Sequence, residues 1–198
     1  MKKICKEDIS QEIFDLYDDY AHNKIERRQF IEKLSVFAVG SLTLPSLLSF
    51  ITPDYINSIT VKTDDPRIIS HYVIFDSPKG GGKINGLFSK PSKNRKKLPG
   101  VIVVHENRGL NPYIEDVARR LAAKGYIAFA PDALYSLGGY PGNDDAGRAM
   151  QASLDRAKIE QDFIAAARFL RAHPQSNGKL GAVGFCFGGY IVRSEEHT

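Results

Sequence analysis

The 198-residue sequence is poor in the features that would commit it to several specialised classes. Its two cysteines, Cys5 and Cys186, lie at opposite ends of the chain and suggest no disulfide framework. The five histidines, His22, His71, His105, His173 and His197, are scattered, and no Cys/His group has zinc-ligand spacing. No apolar run of about 20 residues is uninterrupted, which argues against a membrane-spanning helix. The basic stretch Lys90 to Lys97 (KPSKNRKK) has no interleaved aromatics, so it reads as a solvated loop between strands and not as a nucleic-acid platform. The triple glycine Gly80 to Gly82 is not followed by the Gly-Lys-Ser/Thr and helix of a phosphate-binding loop, which leaves a hairpin turn.

What remains is an ordinary globular composition, 42% apolar and 25% charged with a net charge of +4, long enough for one domain with a real core. Residues 1–62 read as a leader or extension. Ile9, Ile13, Leu16 and Tyr17 have helical spacing. Glu26-Arg27-Arg28-Gln29-Phe30-Ile31, followed by a broken apolar stretch to Ile51, resembles a twin-arginine export signal. Glu26 departs from the usual Ser or Thr, and no A-x-A cleavage site follows. This leader implies a periplasmic or exported protein in transient contact with the export machinery. The alternative is a cytoplasmic extension.

From residue 63 to 192 the pattern is that of an α/β domain. IISHYVIF (68–75) and KINGLF (83–88) flank the glycine turn as a hairpin. Val101 to Val104 is a continuous β-branched run, as expected of a strand buried in a parallel sheet. A helix opened by Pro112 and ended by Gly125 follows, then a strand from Tyr126 to Ala130. A long helix is expected over about 146–172, with Ile159, Phe163, Ala166 and Leu170 on one stripe. Asn177-Gly178 then turns the chain into a buried strand, Leu180 to Phe185. The alternation predicts a doubly wound, mostly parallel sheet. The last residues, Arg193 to Thr198 (RSEEHT), break the apolar pattern and look like translated adapter read-through. They are set aside, His197 included.

Two stretches concentrate chemistry. Gly184-Phe185-Cys186-Phe187-Gly188-Gly189 places one nucleophile between glycines at a strand-to-helix junction, the pattern of a nucleophile elbow with cysteine at its tip. A thiol at a helix N-terminus is activated there, and the N–H of Phe187 is positioned as half of an oxyanion hole. The second stretch, His105-Glu106-Asn107-Arg108, follows the buried strand at its carboxyl end, where open α/β sheets bind ligands. Asn107 would supply the second oxyanion amide. Glu106 needs a partner, which could be Arg108, a backbone donor or the thiol itself, and it is the candidate to exchange a proton with Cys186. Strand alternation turns His105 the other way, into a structural role.

From about Tyr72 to Val192 the sequence resembles the dienelactone hydrolase family of α/β-hydrolases. The resemblance rests on VIVVHENRGLN, YIAFAPD, DFIAAARFL and SNGKLGAVGFCFGGYIV. It implies a carboxylic-ester hydrolase that opens an enol lactone without cofactor or metal. Cys186 would be the nucleophile, Glu106 the carboxylate that generates the thiolate, and Phe187 and Asn107 the oxyanion donors. The family's triad Asp and His lie far beyond the nucleophile, so the chain would hold the N-terminal part of the fold and lack turnover as a fragment. The family's lactone-cleaving members carry a substrate-gripping arginine after the Pro131-Asp132 strand end, whereas Ala133 to Tyr140 has none. A general carboxylesterase or thioesterase is the alternative. A non-catalytic thiol protein, acting in redox or binding, is the reading from outside enzymology. The partner in the leading reading is a small ester or lactone, with no nucleic acid.

Overall fold

A computed structural model of the chain describes residues 9–40, 42–93 and 96–195, which leaves Cys5 and His197 outside the described residues. The chain divides into two compact units, Met1–Asp54 and Tyr55–Thr198. Composition placed the division at 62/63. It falls earlier because residues 60–61 are tied into the second unit: the buried Asp116 carboxylate accepts from the N–H groups of Thr60 (3.1 Å) and Val61 (2.7 Å).

The first unit holds three helices, α1 (Gln11–Ala21), α2 (Arg27–Ser35) and α3 (Leu44–Ile51). Ile13, Phe30, Leu34 and Leu47 are buried together, and Tyr20 stacks on Phe30 at 4.5 Å. The helix starts are signalled locally. The Glu26 N–H donates to the Gln29 side chain, and Thr43 and Ser46 cap α3 reciprocally. Arg27 and Arg28 open α2 on its exposed side, and Arg28 pairs with Glu32 at 3.0 Å. Among the described residues, no helix is long and apolar enough to cross a membrane.

The second unit opens with a single turn, α4 (Tyr55–Ser58), and is built on five strands: β1 (Ile68–Ser77), β2 (Gly82–Pro91), β3 (Leu98–Val104), β4 (Ile127–Pro131) and β5 (Ser176–Gly184). They lie in the order β1-β2-β4-β3-β5, with β4, β3 and β5 parallel and the β1–β2 hairpin antiparallel. Alternation along β3 sorts the two faces. Val103 packs with Ile114 and Ala118 of α5 (Pro112–Ala123), while Ile102 and Val104 pack with Phe163, Ala166 and Leu170 of α7 (Arg156–Ala172). The β3-to-β4 crossover moves one way along the sheet and the β4-to-β5 crossover moves back, so their helices cover opposite faces, as right-handed connections require. The strand order therefore reverses between β3 and β5.

The triple glycine is the hairpin turn, and it is shaped by Asp162 of α7. A Cβ on Gly80 would sit 2.0 Å from Asp162 Oδ1, and the Gly81 N–H donates to that oxygen at 2.8 Å. A carboxylate already occupies the place a phosphate would need. The basic stretch begins with the last two residues of β2 and ends just before β3.

Four local expectations change. The single helix over 146–172 is two, α6 (Asp144–Ala152) and α7, because the Asp155 side chain accepts from the N–H groups of Ala157 and Lys158 and starts a new helix. This gives a signed test. Asp155→Ala should cost about 1 kcal/mol as a lost cap, measured by urea unfolding, whereas inside a continuous helix the same change would stabilise. Asn177-Gly178 lies within β5 as a bulge, with Gly178 at φ +81° and the register slipping between Leu98/Ser176 and Gly100/Leu180. Among the described residues, the strand expected to be buried lies at the outside of the sheet beside β3, with Gly181 and Ala182 exposed. Finally, α8 (Phe187–Glu195) runs into the first three residues of the segment set aside as a tail.

Candidate active site

The parallel register aligns Val104 of β3 with Gly184 of β5. Two residues further along each strand stand Glu106 and Cys186, so both reach the carboxyl end of the sheet at the point where strand order reverses. That is where open α/β sheets form their ligand crevice.

Cys186 is exposed and has φ +53°. A left-handed backbone at a non-glycine residue is strained and persists where the surroundings impose it. Here two glycines impose it. A Cβ on Gly184 would lie 2.4 Å from the carbonyl carbon of Gly188, and one on Gly188 would lie 2.5 Å from the Val104 carbonyl oxygen and 3.0 Å from that of His105. The start of α8 is thereby pressed onto the end of β3, the strand that leads into Glu106 and Asn107. Phe187 is the first residue of α8, so its N–H has no acceptor within the helix and is directed to the site end. Gly189 has room, since an added Cβ there would meet only the Gly184 oxygen, at 3.7 Å.

Glu106 and Asn107 are both half-buried. The Arg108 partner considered for Glu106 is taken elsewhere. Arg108 Nη1 donates to Asp144 Oδ2 at 3.0 Å, and Tyr55 (2.7 Å) and Tyr140 (2.9 Å) donate their hydroxyls to the same carboxylate. Burial, then the bond to Asp144, pushes both phenols well above the usual tyrosine range, so they stay protonated donors. Nothing in the sequence marked Tyr55 or Tyr140, which lie far from Arg108 along the chain. Asn143-Asp144 had the composition of a helix start, which would have separated α6 and drawn attention to the carboxylate.

His105 does not continue the alternation of β3: its ring packs on Phe163 of α7, the face that Ile102 and Val104 also take. It is fully buried, and its Nε2 accepts from the Ala133 N–H at 3.1 Å while Nδ1 faces the Glu106 carbonyl oxygen at 2.6 Å. Because a backbone N–H can only donate, the proton sits on Nδ1 and the ring is neutral. It ties the turn after β3 to the turn after β4. Burial lowers its pKa below the ordinary 6.5. The unfolded chain therefore takes up the proton more readily, and stability is complete above the ordinary value and lost as pH falls below it. Thermal unfolding should show stability declining from about pH 7.5 to about pH 5.5, more steeply in the native chain than in His105→Gln. His173, lowered also by burial, contributes with the same sign in both. Equal slopes would exclude the His105 contribution.

The model of the dienelactone hydrolase family matches residues 84–195, more than half of the chain. The chain belongs to the dienelactone hydrolase family. Residues 1–39 match a second family model, described as YqhI-like. An Escherichia coli K12 protein named as a hydrolase fragment, YghX, is 53% identical over 114 residues, covering 58% of this chain and 97% of that one. A Synechocystis protein provisionally named carboxymethylenebutenolidase is 37% identical over 104 residues, covering 48% of this chain and 42% of its own. The solved structure titled m3DLH is 31% identical with a TM-score of 0.55, covering 64% of this chain and 53% of that one. Apart from the fragment, the chain spans about half the length of such dienelactone hydrolase relatives.

Proposed function

We propose that this chain carries the nucleophilic half of a cysteine-dependent carboxylic-ester hydrolase acting on esters or enol lactones. The observation that supports it is the elbow: a thiol held at φ +53° between two glycines whose lost side chains are needed for backbone contact. In this reading the Cys186 sulfur bonds to the acyl carbon while its proton passes to the Glu106 carboxylate. The oxyanion is met by the backbone N–H groups of Phe187 and Asn107. The C–O bond to the leaving alcohol then breaks, and the alcohol takes the proton back from Glu106. Water hydrolyses the resulting thioester and restores the thiol.

The acyl-transfer step is the one these residues support by themselves, and it is testable on the chain as it is. Mixing with p-nitrophenyl acetate should release a rapid burst of nitrophenolate approaching one equivalent per chain. Slow linear release with no burst would contradict the proposal. The absence of arginine from Ala133 to Tyr140 favours neutral esters and thioesters over carboxylate-bearing lactones, and a panel of such substrates separates the two.

The exposed Arg27-Arg28 pair at the head of α2 supports a further part of the proposal, export by the twin-arginine route. Cell fractionation should find the native protein outside the cytoplasm, and the Arg27→Lys, Arg28→Lys double variant should stay inside it. Equal distribution of the two forms would contradict it.

A further inference from the structure

We propose that Asp144 is a positioning residue that holds the Arg108 guanidinium away from Glu106 and so keeps the Glu106 carboxylate available to the Cys186 thiol. The inference rests on the Glu106–Cys186 pairing of the proposed function.

Elsewhere in the same chain an arginine stands two residues after a carboxylate and pairs with it. Arg67 folds back onto Asp65 with contacts of 3.0 Å from Nε to Oδ1 and 2.7 Å from Nη2 to Oδ2, and the Asp65 carboxyl is held down at about 2. Arg108 stands in the same relation to Glu106. A guanidinium seeks planar, two-oxygen acceptors, and the nearest along the chain is Glu106. It is drawn off instead. Asp144 occupies the first turn of α6, and its two oxygens take Arg108, Tyr55 and Tyr140.

The geometry of α6 fixes this arrangement. Gly147, one helical turn after Asp144, lies so close to the Arg108 backbone that a Cβ would be 2.3 Å from the Arg108 carbonyl oxygen. Positions three apart share a helix face, so the contact that docks Gly147 also delivers Asp144 to the guanidinium. The pair is largely buried, with side chains 10% and 21% exposed, and buried pairs add little net stability after desolvation. Their consequence is to decide where a charge resides. The other charged groups near this turn are spoken for: Arg148 pairs with Asp145, Asp132 accepts from the Leu134 N–H at 3.0 Å, and His105 is neutral.

The test reads the pH profile of Cys186 alkylation by iodoacetamide, followed by mass spectrometry of the tryptic peptide 180–193, which excludes Cys5. In Asp144→Asn, Arg108 moves to Glu106 and cancels the negative charge beside the thiol. The midpoint should fall by about one pH unit. Removing the guanidinium as well, in the Asp144→Asn, Arg108→Gln double variant, should return the midpoint to the native value. Simple loosening of the loop would not be reversed by a second deletion. An unmoved midpoint in folded Asp144→Asn, or a shift that persists in the double variant, overturns the proposal. Should Asp144→Asn fail to fold, Arg108→Gln alone decides: the native midpoint supports sequestration, and a raised midpoint overturns it. Glu106→Gln tests the reading beneath. If it leaves the midpoint unmoved, Glu106 is not the thiol's partner, a failure distinct from that of the Asp144 assignment.

Discussion

Replacing Gly188 with alanine should destabilise the second unit by about 2–3 kcal/mol or more, because the new methyl group meets backbone oxygens that cannot rotate aside. The Cβ would lie 2.5 Å from the Val104 oxygen and 3.0 Å from that of His105, both at the end of the central strand β3. Relief requires α8 to lift from the sheet, and Cys186 at its head to move with it. Gly189→Ala is the control one position along. Its methyl group meets only ordinary contact at 3.7 Å, and alanine improves on glycine within a helix by up to about 1 kcal/mol. The two adjacent substitutions should thus change stability in opposite directions in urea unfolding. Similar effects at both positions would show that the elbow is not locked by backbone contact.

Cys186→Ala should abolish the nitrophenolate burst, and any residual ester cleavage should fall to that of background protein. In enzymes with a covalent mechanism, loss of the nucleophile alone costs about as much as loss of the whole triad. Cys186→Gly should do the same to the burst with an opposite effect on stability. A glycine adopts the left-handed conformation without the Cβ penalty, so this variant should gain about 1 kcal/mol relative to Cys186→Ala. A gain in stability together with a loss of reactivity is what strain held at a reactive residue predicts. If the alanine variant bursts as the native chain does, another group is the nucleophile.

Much of this was legible in the sequence because it is local. The elbow needs its glycines within a few residues of the thiol, and G-x-C-x-G-G after an apolar run states that requirement directly. Val101 to Val104 declared a central strand by being β-branched on both faces, and Gly80 to Gly82 declared a turn. The break between α6 and α7 was equally local, since Leu154-Asp155 carries a capping residue, but the apolar stripe of α7 extends smoothly enough to hide it. What could not be read was long-range. Tyr55 and Asp144 meet across most of the second unit, and no pattern in either neighbourhood points to the other. The apolar residues of β5 report that it belongs to a sheet, and not which strands flank it. The partner of Glu106 was open for the same reason. Arg108, the nearest cation along the chain, was one of three candidates, and a helix from a later crossover claims it.

One bond decides the proposed function, that between the Cys186 sulfur and an acyl carbon. Brief reaction of the native chain with p-nitrophenyl acetate, acid quenching and peptide mass spectrometry should place one acetyl group on the peptide 180–193, at Cys186, and none on the same peptide from Cys186→Ala. Acetylation confined to lysines or to Cys5, with this peptide unmodified, would contradict the account.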